Sequence, residues 1–360
     1  MTSIERMQRF LKRKSHDRIP VYEHFWSDTK RAWVKDGKIT QDDELNHIFD
    51  FDMTECWAFN YVADLDFIPQ VLEETEDTIL VMDGNGAKLK RHKKHDATPE
   101  HVGFTVMDRA SWNSLKEKIE PEKRRINFDA YIKEKNWARD NDKFFCWSGI
   151  NVFEQMHPVC GHEYMLIGMA LDPEWIHDMA KTYAELNINL MEELFSSAGK
   201  PDGIWFYEDM GFKQRPFMSP QMYNEIIKPY HKMTMDYAKS LGLPVIMHSC
   251  GFVEPLLPGV LEAGIDCLQV IEVKAGMDAK RIYDNYGEQL SLMGGIDVRE
   301  LYSNDKERIK NELNDKLPYV MGHYGYALHS DHSIPGTVGY DMYKYFLDEG
   351  IKLGSYKNNR

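Results

Sequence analysis

Short apolar runs alternate with longer stretches in which apolar residues recur every three or four positions. The runs predict strands at Arg18-Ile19-Pro20-Val21-Tyr22, near Phe51 to Cys56, and at "KFFCWSG" (143–149), "GIWFYED" (203–209), "LPVIMHSC" (243–250), "DCLQVIE" (266–272), "LSLMGGID" (290–297) and "YALHSDH" (326–332). The stretches between them predict helices. Asp172-Pro173-Glu174 is a start signal, with a capping carboxylate, a first-turn proline and an acidic first turn. Ile176, Met179, Tyr183, Leu186, Leu190 and Leu194 then share one face, and Gly199 is a stop. Ser219-Pro220 repeats the start signal, and Met222, Ile226, Tyr230, Met233 and Leu241 are expected to face inward. Thr78 to His95 instead predicts a hairpin around Asp83-Gly84-Asn85-Gly86.

Strand, helix, strand, helix over the whole chain implies an α/β protein with a parallel sheet. About eight strands fit a single (β/α)8 TIM barrel spanning 1–360, with the hairpin at about 78–95 as an excursion. An open doubly wound sheet is the alternative, but no GxGxxG follows the first strand, and "GGID" (294–297) is too weak a dinucleotide loop.

The 360 residues are 42% hydrophobic, enough for a large core. A net charge of -14 argues against a nucleic-acid or anionic-membrane binder. The basic run at Lys90-Arg91-His92-Lys93-Lys94 and the acidic run at Glu73-Glu74-Thr75-Glu76-Asp77 read as solvated faces of the hairpin region. No apolar run has membrane-spanning length, and the charged N-terminus lacks a signal-peptide core, so a cytoplasmic location is expected. Five scattered cysteines, Cys56, Cys146, Cys160, Cys250 and Cys267, fit reduced thiols.

In a barrel the chemistry sits at the C-terminal ends of the strands. Those ends carry Tyr22-Glu23-His24, Trp147 and Ser148 with Glu154 beyond, Glu208-Asp209, His248 and Cys250, Glu272, Asp297, and finally His329, Asp331 and His332. Imidazoles, a thiol and carboxylates converging on one face are donors for a transition metal, zinc above all. His248 and Cys250 would point to opposite faces of a strict strand, but Gly251 lets the backbone turn and bring both inward. The rival readings are a satisfied histidine beside a buried thiol, or a Cys–His nucleophile pair, for which no oxyanion hole is marked. Glu208 and Asp209 point apart. Either one reaches the site while the other caps a loop or bonds the backbone.

The chain also resembles the uroporphyrinogen decarboxylase superfamily. The similarity is carried by "RIPV", "TPEHVGFTVMDRASW" (98–112), "GIWFYEDMGFKQRPFMSP" (203–220), "LPVIMHSCGFVEPLLPGVLEAGID" (243–266) and "YGEQLSLMGGID" (286–297). The resemblance implies a barrel with an N-terminal extension. "YEHFWSDTKRAW" stands where decarboxylases carry a "RQAGRY"-like segment, which argues against porphyrin decarboxylation. The corrinoid-linked methyltransferases of the superfamily end this strand in His-x-Cys and add a cysteine from a "GCGIP"-like segment. Here that segment reads "DHSIP" (331–335). The resemblance therefore implies zinc on His248, Cys250 and His332, with His329 competing for the last place. A neutral imidazole in place of a thiolate leaves zinc a stronger Lewis acid. That suits demethylation of an aryl methyl ether toward the Co(I) corrinoid of a partner protein. The alternatives are methyl transfer from methyl-corrinoid to a thiol, a metal-free decarboxylase, and a non-catalytic binding protein. Glu154 or Glu208 would be a fourth ligand or protonate the leaving phenolate, and Asp209 is a further catalytic candidate. Trp147, Phe206 and Tyr207 are expected to seat the methoxylated aromatic ring, with Trp26, Phe59, Tyr61 and Phe153 as further candidates.

Overall fold

The structure is a computed structural model that describes residues 1–93 and 99–356. Its strands in chain order are β1 (Met53–Trp57), β2 (Gln70–Glu74), β3 (Thr78–Met82), β4 (Ala87–His92), β5 (Glu100–Phe104), β6 (Phe144–Ile150), β7 (Gly203–Tyr207), β8 (Gly211–Phe212), β9 (Arg215–Pro216), β10 (Val245–Ser249), β11 (Cys267–Val270), β12 (Ser291–Gly294) and β13 (Tyr326–Ala327). Seven of them form one curled parallel sheet in the order β1-β6-β7-β10-β11-β12-β13. The central strands are apolar and buried on both faces, because helices cover one side and the strands' own side chains fill the other. The segment around Val21 lies between the two edges. Val21 bridges Leu328 in parallel, and its carbonyl accepts the Asp52 N–H at 2.9 Å beside β1.

Local signals explain the covering helices. Asp172 caps Pro173–Ala198 by accepting from the Trp175 N–H, and Ile176, Met179, Tyr183, Leu186, Leu190 and Leu194 are all buried. The next helix departs from its expected face. Of Met222, Ile226, Tyr230, Met233 and Leu241, only Ile226 is buried. A π turn at Tyr223–Ile227 rotates the following Lys228–Ser240 helix, which turns His231, Thr234, Met235 and Ala238 inward. An imidazole thus takes a core position.

The excursion after β1 is larger than a hairpin. Strands β3 and β4 pair across Asp83–Gly86, and β2 and β5 extend them into a four-stranded antiparallel sheet. Lys94 and His95 of the expected hairpin, and Thr98 of the "TPEHVGF" stretch, lie outside the described residues. No helix among the described residues is long and apolar enough to cross a membrane.

Candidate metal centre

Strand β10 ends at Ser249, and the chain turns immediately after Cys250. Gly251 sits at φ +77, and a Cβ there would lie 2.2 Å from the Gly211 carbonyl carbon. Both the left-handed backbone and the close approach therefore require glycine. The turn brings the Cys250 Sγ to 3.2 Å from the His248 Nε2. Asp209, just past β7, completes the group. Its Oδ1 lies 3.3 Å from the His248 Nε2 and accepts the Cys250 N–H at 2.8 Å. Donor atoms of all three lie within 4.8 Å of one another.

Electrostatics at this point call for a cation. Burial pushes Asp209 up, but His248 and the Cys250 amide outweigh it and hold the carboxylate at about 2. Burial disfavours a charge on His248, yet Cys250 and Asp209 raise its proton affinity well above the imidazole range. Burial, only partly offset by His248, pushes the Cys250 thiol up. A metal dication would supply the positive charge that stabilises both the carboxylate and a thiolate.

The orientation of His248 is set from the neighbouring strand. The His329 Nδ1 lies 2.6 Å from the Ser330 carbonyl, which only accepts, so Nδ1 donates. In neutral His329 the Nε2 then accepts, and it takes the Gln269 amide N–H at 3.2 Å. That fixes the Gln269 oxygen toward the Nδ1 of His248, which donates to it. Nδ1 is thereby committed, and Nε2, the atom facing Cys250 and Asp209, is the one that would give up its proton to a metal. Such outer partners of ligating histidines set tautomer and ring orientation. Gln269→Leu should weaken metal affinity about 10- to 100-fold without unfolding the protein. Chelator competition followed by circular dichroism checks both.

The other predicted residues are dispersed. His332 is not in the donor group; its ring stacks on Trp26 with centroids 5.6 Å apart. His329 is fully buried in the bonds just described. The carboxylate of Glu208 accepts the N–H groups of Phe153 at 2.7 Å and Glu154 at 2.9 Å, and it also pairs with the Nε2 of buried His231. It caps the Val152–Leu171 helix, where Asn151 makes no side-chain cap. Glu154 bonds His157 at 2.8 Å, burial raises its pKa, and its Oε2 has no partner among the described residues. Ser148 and Tyr207 both donate to Glu55 inside the curled sheet. Their strand neighbours Trp147 and Phe206 therefore face the helices, and Trp147 packs on Phe195. Tyr207 does reach the mouth, with its ring 4.9 Å from that of His248. Phe59 packs on Trp147, Phe153 lies near Phe217, and half-buried Tyr61 points its hydroxyl over Gly149. Gln269 and Glu55 were missed. A polar residue interrupting an apolar strand, as in "CLQV" and "MTECW", is the signal that marks them.

Comparison with known proteins follows this geometry. The model of the uroporphyrinogen decarboxylase (URO-D) family matches residues 145–351, which include every donor of the centre. A methylated-thiol–coenzyme M methyltransferase of Methanosarcina mazei is 32% identical over 99 residues, 27% of this chain. The match spans only 25% of that protein's length. Among solved structures, a methyltransferase from Methanosarcina mazei superposes with a TM-score of 0.67 over 98% of this chain and 99% of that one. At 14% identity it bears on the fold alone. With more than half of its length matched by the family model, the chain belongs to the uroporphyrinogen decarboxylase family.

Proposed function

We propose that this protein is a zinc-dependent, corrinoid-linked methyltransferase whose organic partner is a thiol or its methyl thioether. The supporting observation is the converging donor set of Asp209, His248 and Cys250, with the His248 Nε2 aimed into it. Zinc held there would stabilise a thiolate or polarise a methyl-bearing heteroatom. The methyl group would be exchanged with a corrinoid borne by a separate protein. Around this centre we read the sheet and the Val21 segment as one (β/α)8 domain.

Ligand charge decides the substrate. The expected His248, Cys250 and His332 set carries one negative charge and favours ether cleavage. Asp209 in place of His332 restores two, as in a two-thiolate site, and so suits sulfur. The name of the methylated-thiol relative points the same way. Demethylation of an aryl methyl ether is the second reading, favoured by two half-exposed tryptophans at the mouth, Trp26 at 47% and Trp57 at 46%. Glu154 is the remaining carboxylate with a free oxygen near Asp209, and it is either a further ligand or an acid.

Zinc-loaded protein should form a methyl thioether from methylcobalamin and a thiol, followed by the loss of methylcobalamin absorbance. Consumption of methoxyphenols by cob(I)alamin, with no thiol methylation, would move the assignment to the second reading. Turnover equal with and without zinc would remove both.

A further inference from the structure

A second polar cluster lies beside the centre and is not part of it. The His24 Nε2 is 3.0 Å from the Glu55 Oε1 and 2.9 Å from the Tyr207 hydroxyl, and its Nδ1 is 3.0 Å from the His329 Nε2. Glu55 also receives the hydroxyls of Ser148 and Tyr207. A cavity of about 510 Å³ opens between Trp26 and Trp57 and reaches His24 and Glu55. Trp57 adjoins the metal centre through one ring, and Trp26 lies beside His332, outside the donor group. Trp57 packs on Tyr207, which packs on His248, and Trp26 stacks on His332.

Bond directions single out His24. His329 accepts at Nε2 and donates at Nδ1, so neither nitrogen can change without orphaning a neighbour. Gln269 is an amide and carries no exchangeable charge. The His24 Nδ1 shares the His329 Nε2 lone pair with the Gln269 amide, and the His24 Nε2 has two workable states. Protonated, it donates to Glu55; unprotonated, it accepts from Tyr207. His24 can therefore gain or lose a proton with its own ring bonded in both states, while Glu55 keeps the Ser148 hydroxyl throughout.

We propose that the organic substrate occupies the cavity between Trp26 and Trp57, and that His24, backed by Glu55, exchanges the proton of its heteroatom directly or through one water. The inference rests on the methyl-transfer reading. In the thiol direction R–SH and neutral His24 give R–S⁻ and imidazolium: the S–H bond breaks, an N–H bond forms beside the Glu55 carboxylate, and nothing is oxidised. The reverse step protonates a departing thiolate. The substrate class is a molecule with a flat or apolar body and one ionisable heteroatom, matched to the indole walls. The groups facing His24 are Glu55 from β1, Tyr207 from β7, His329 beyond β13, and Tyr22 and Glu23 of its own segment. Around the cavity stand Lys30, Lys133, Glu44 and Glu134, of which Glu134 bonds His47 and Thr54.

His24→Gln keeps a hydrogen-bonding side chain but cannot carry the proton. With zinc content equal to the wild type, methylation of a weakly acidic alkanethiol by methylcobalamin should fall on the order of 10²-fold. Methylation of 4-nitrothiophenol, already ionised in solution, should change by no more than about 3-fold, since it needs no proton acceptor. Equal losses on both thiols would overturn the proposal. Independently of turnover, calorimetric binding of an alkanethiol to the zinc-loaded protein, in buffers of different ionisation enthalpy, should release almost no proton to solvent in the wild type and about one per thiol in His24→Gln. Equal proton release by both proteins would overturn the proposal. A wild-type protein that transfers no methyl group overturns the methyl-transfer reading instead, and the calorimetry then decides proton exchange alone.

Discussion

Cys250→Ser and His248→Ala should each empty the centre. Bound zinc is expected to fall from about one per chain to less than about a tenth, and methyl transfer to fall on the order of 10³-fold or more, since a catalytic metal contributes several kcal/mol. The reason is geometric. Among the described residues, Asp209, His248 and Cys250 are the one group of three donors placed to share an ion, so removing one leaves two. Cys250→Ser retains the turn at Gly251, so the fold should survive. Metal analysis of dialysed protein and a methylcobalamin assay read the two effects separately. A variant that keeps its zinc but loses activity would mean that the residue acts on substrate and not on metal.

Glu208→Leu should destabilise the protein by about 3–5 kcal/mol, because it strands a buried imidazole and uncaps a long helix. The Glu208 side chain and that of His231 are fully buried, and His231 has the Tyr223 hydroxyl at 3.0 Å as its other partner. Removing the carboxylate leaves the Phe153 and Glu154 N–H groups without their acceptor. The urea midpoint should drop steeply, while the protein that remains folded binds zinc with wild-type stoichiometry. Unchanged stability with lost turnover would instead return Glu208 to the chemistry.

How much of this the sequence carries depends on the kind of residue. The parallel strands are legible because both faces are buried, which forces near-continuous apolar runs such as "VIM" and "FFCW". Helix starts are legible where a carboxylate or hydroxyl cap precedes proline, as at Asp172 and Ser219. The β2 edge of the antiparallel sheet is not legible, since Gln70–Glu74 is exposed throughout and lacks an apolar face. His248 and Cys250 stand out because only a glycine turn explains a polar pair ending an apolar strand. The third donor does not. Strand β7 stops at Tyr207, and whether Asp209 or Glu208 turns toward the centre depends on which of them meets the helix N-terminus behind it. The place of His332 is likewise set by a tertiary contact, the Trp26 ring, that no spacing encodes. Gln269 acts through a histidine sixty positions away, and its role exists only once the curled sheet brings them together.

The central claim is that a zinc ion binds where Asp209, His248 and Cys250 meet. Zinc K-edge absorption on the loaded protein tests it most directly. The expected spectrum has one sulfur at about 2.3 Å with nitrogen and oxygen at about 2.0–2.2 Å, and the sulfur shell disappears in Cys250→Ser. A shell of nitrogen and oxygen alone in the wild type, or one unchanged by Cys250→Ser, would contradict it.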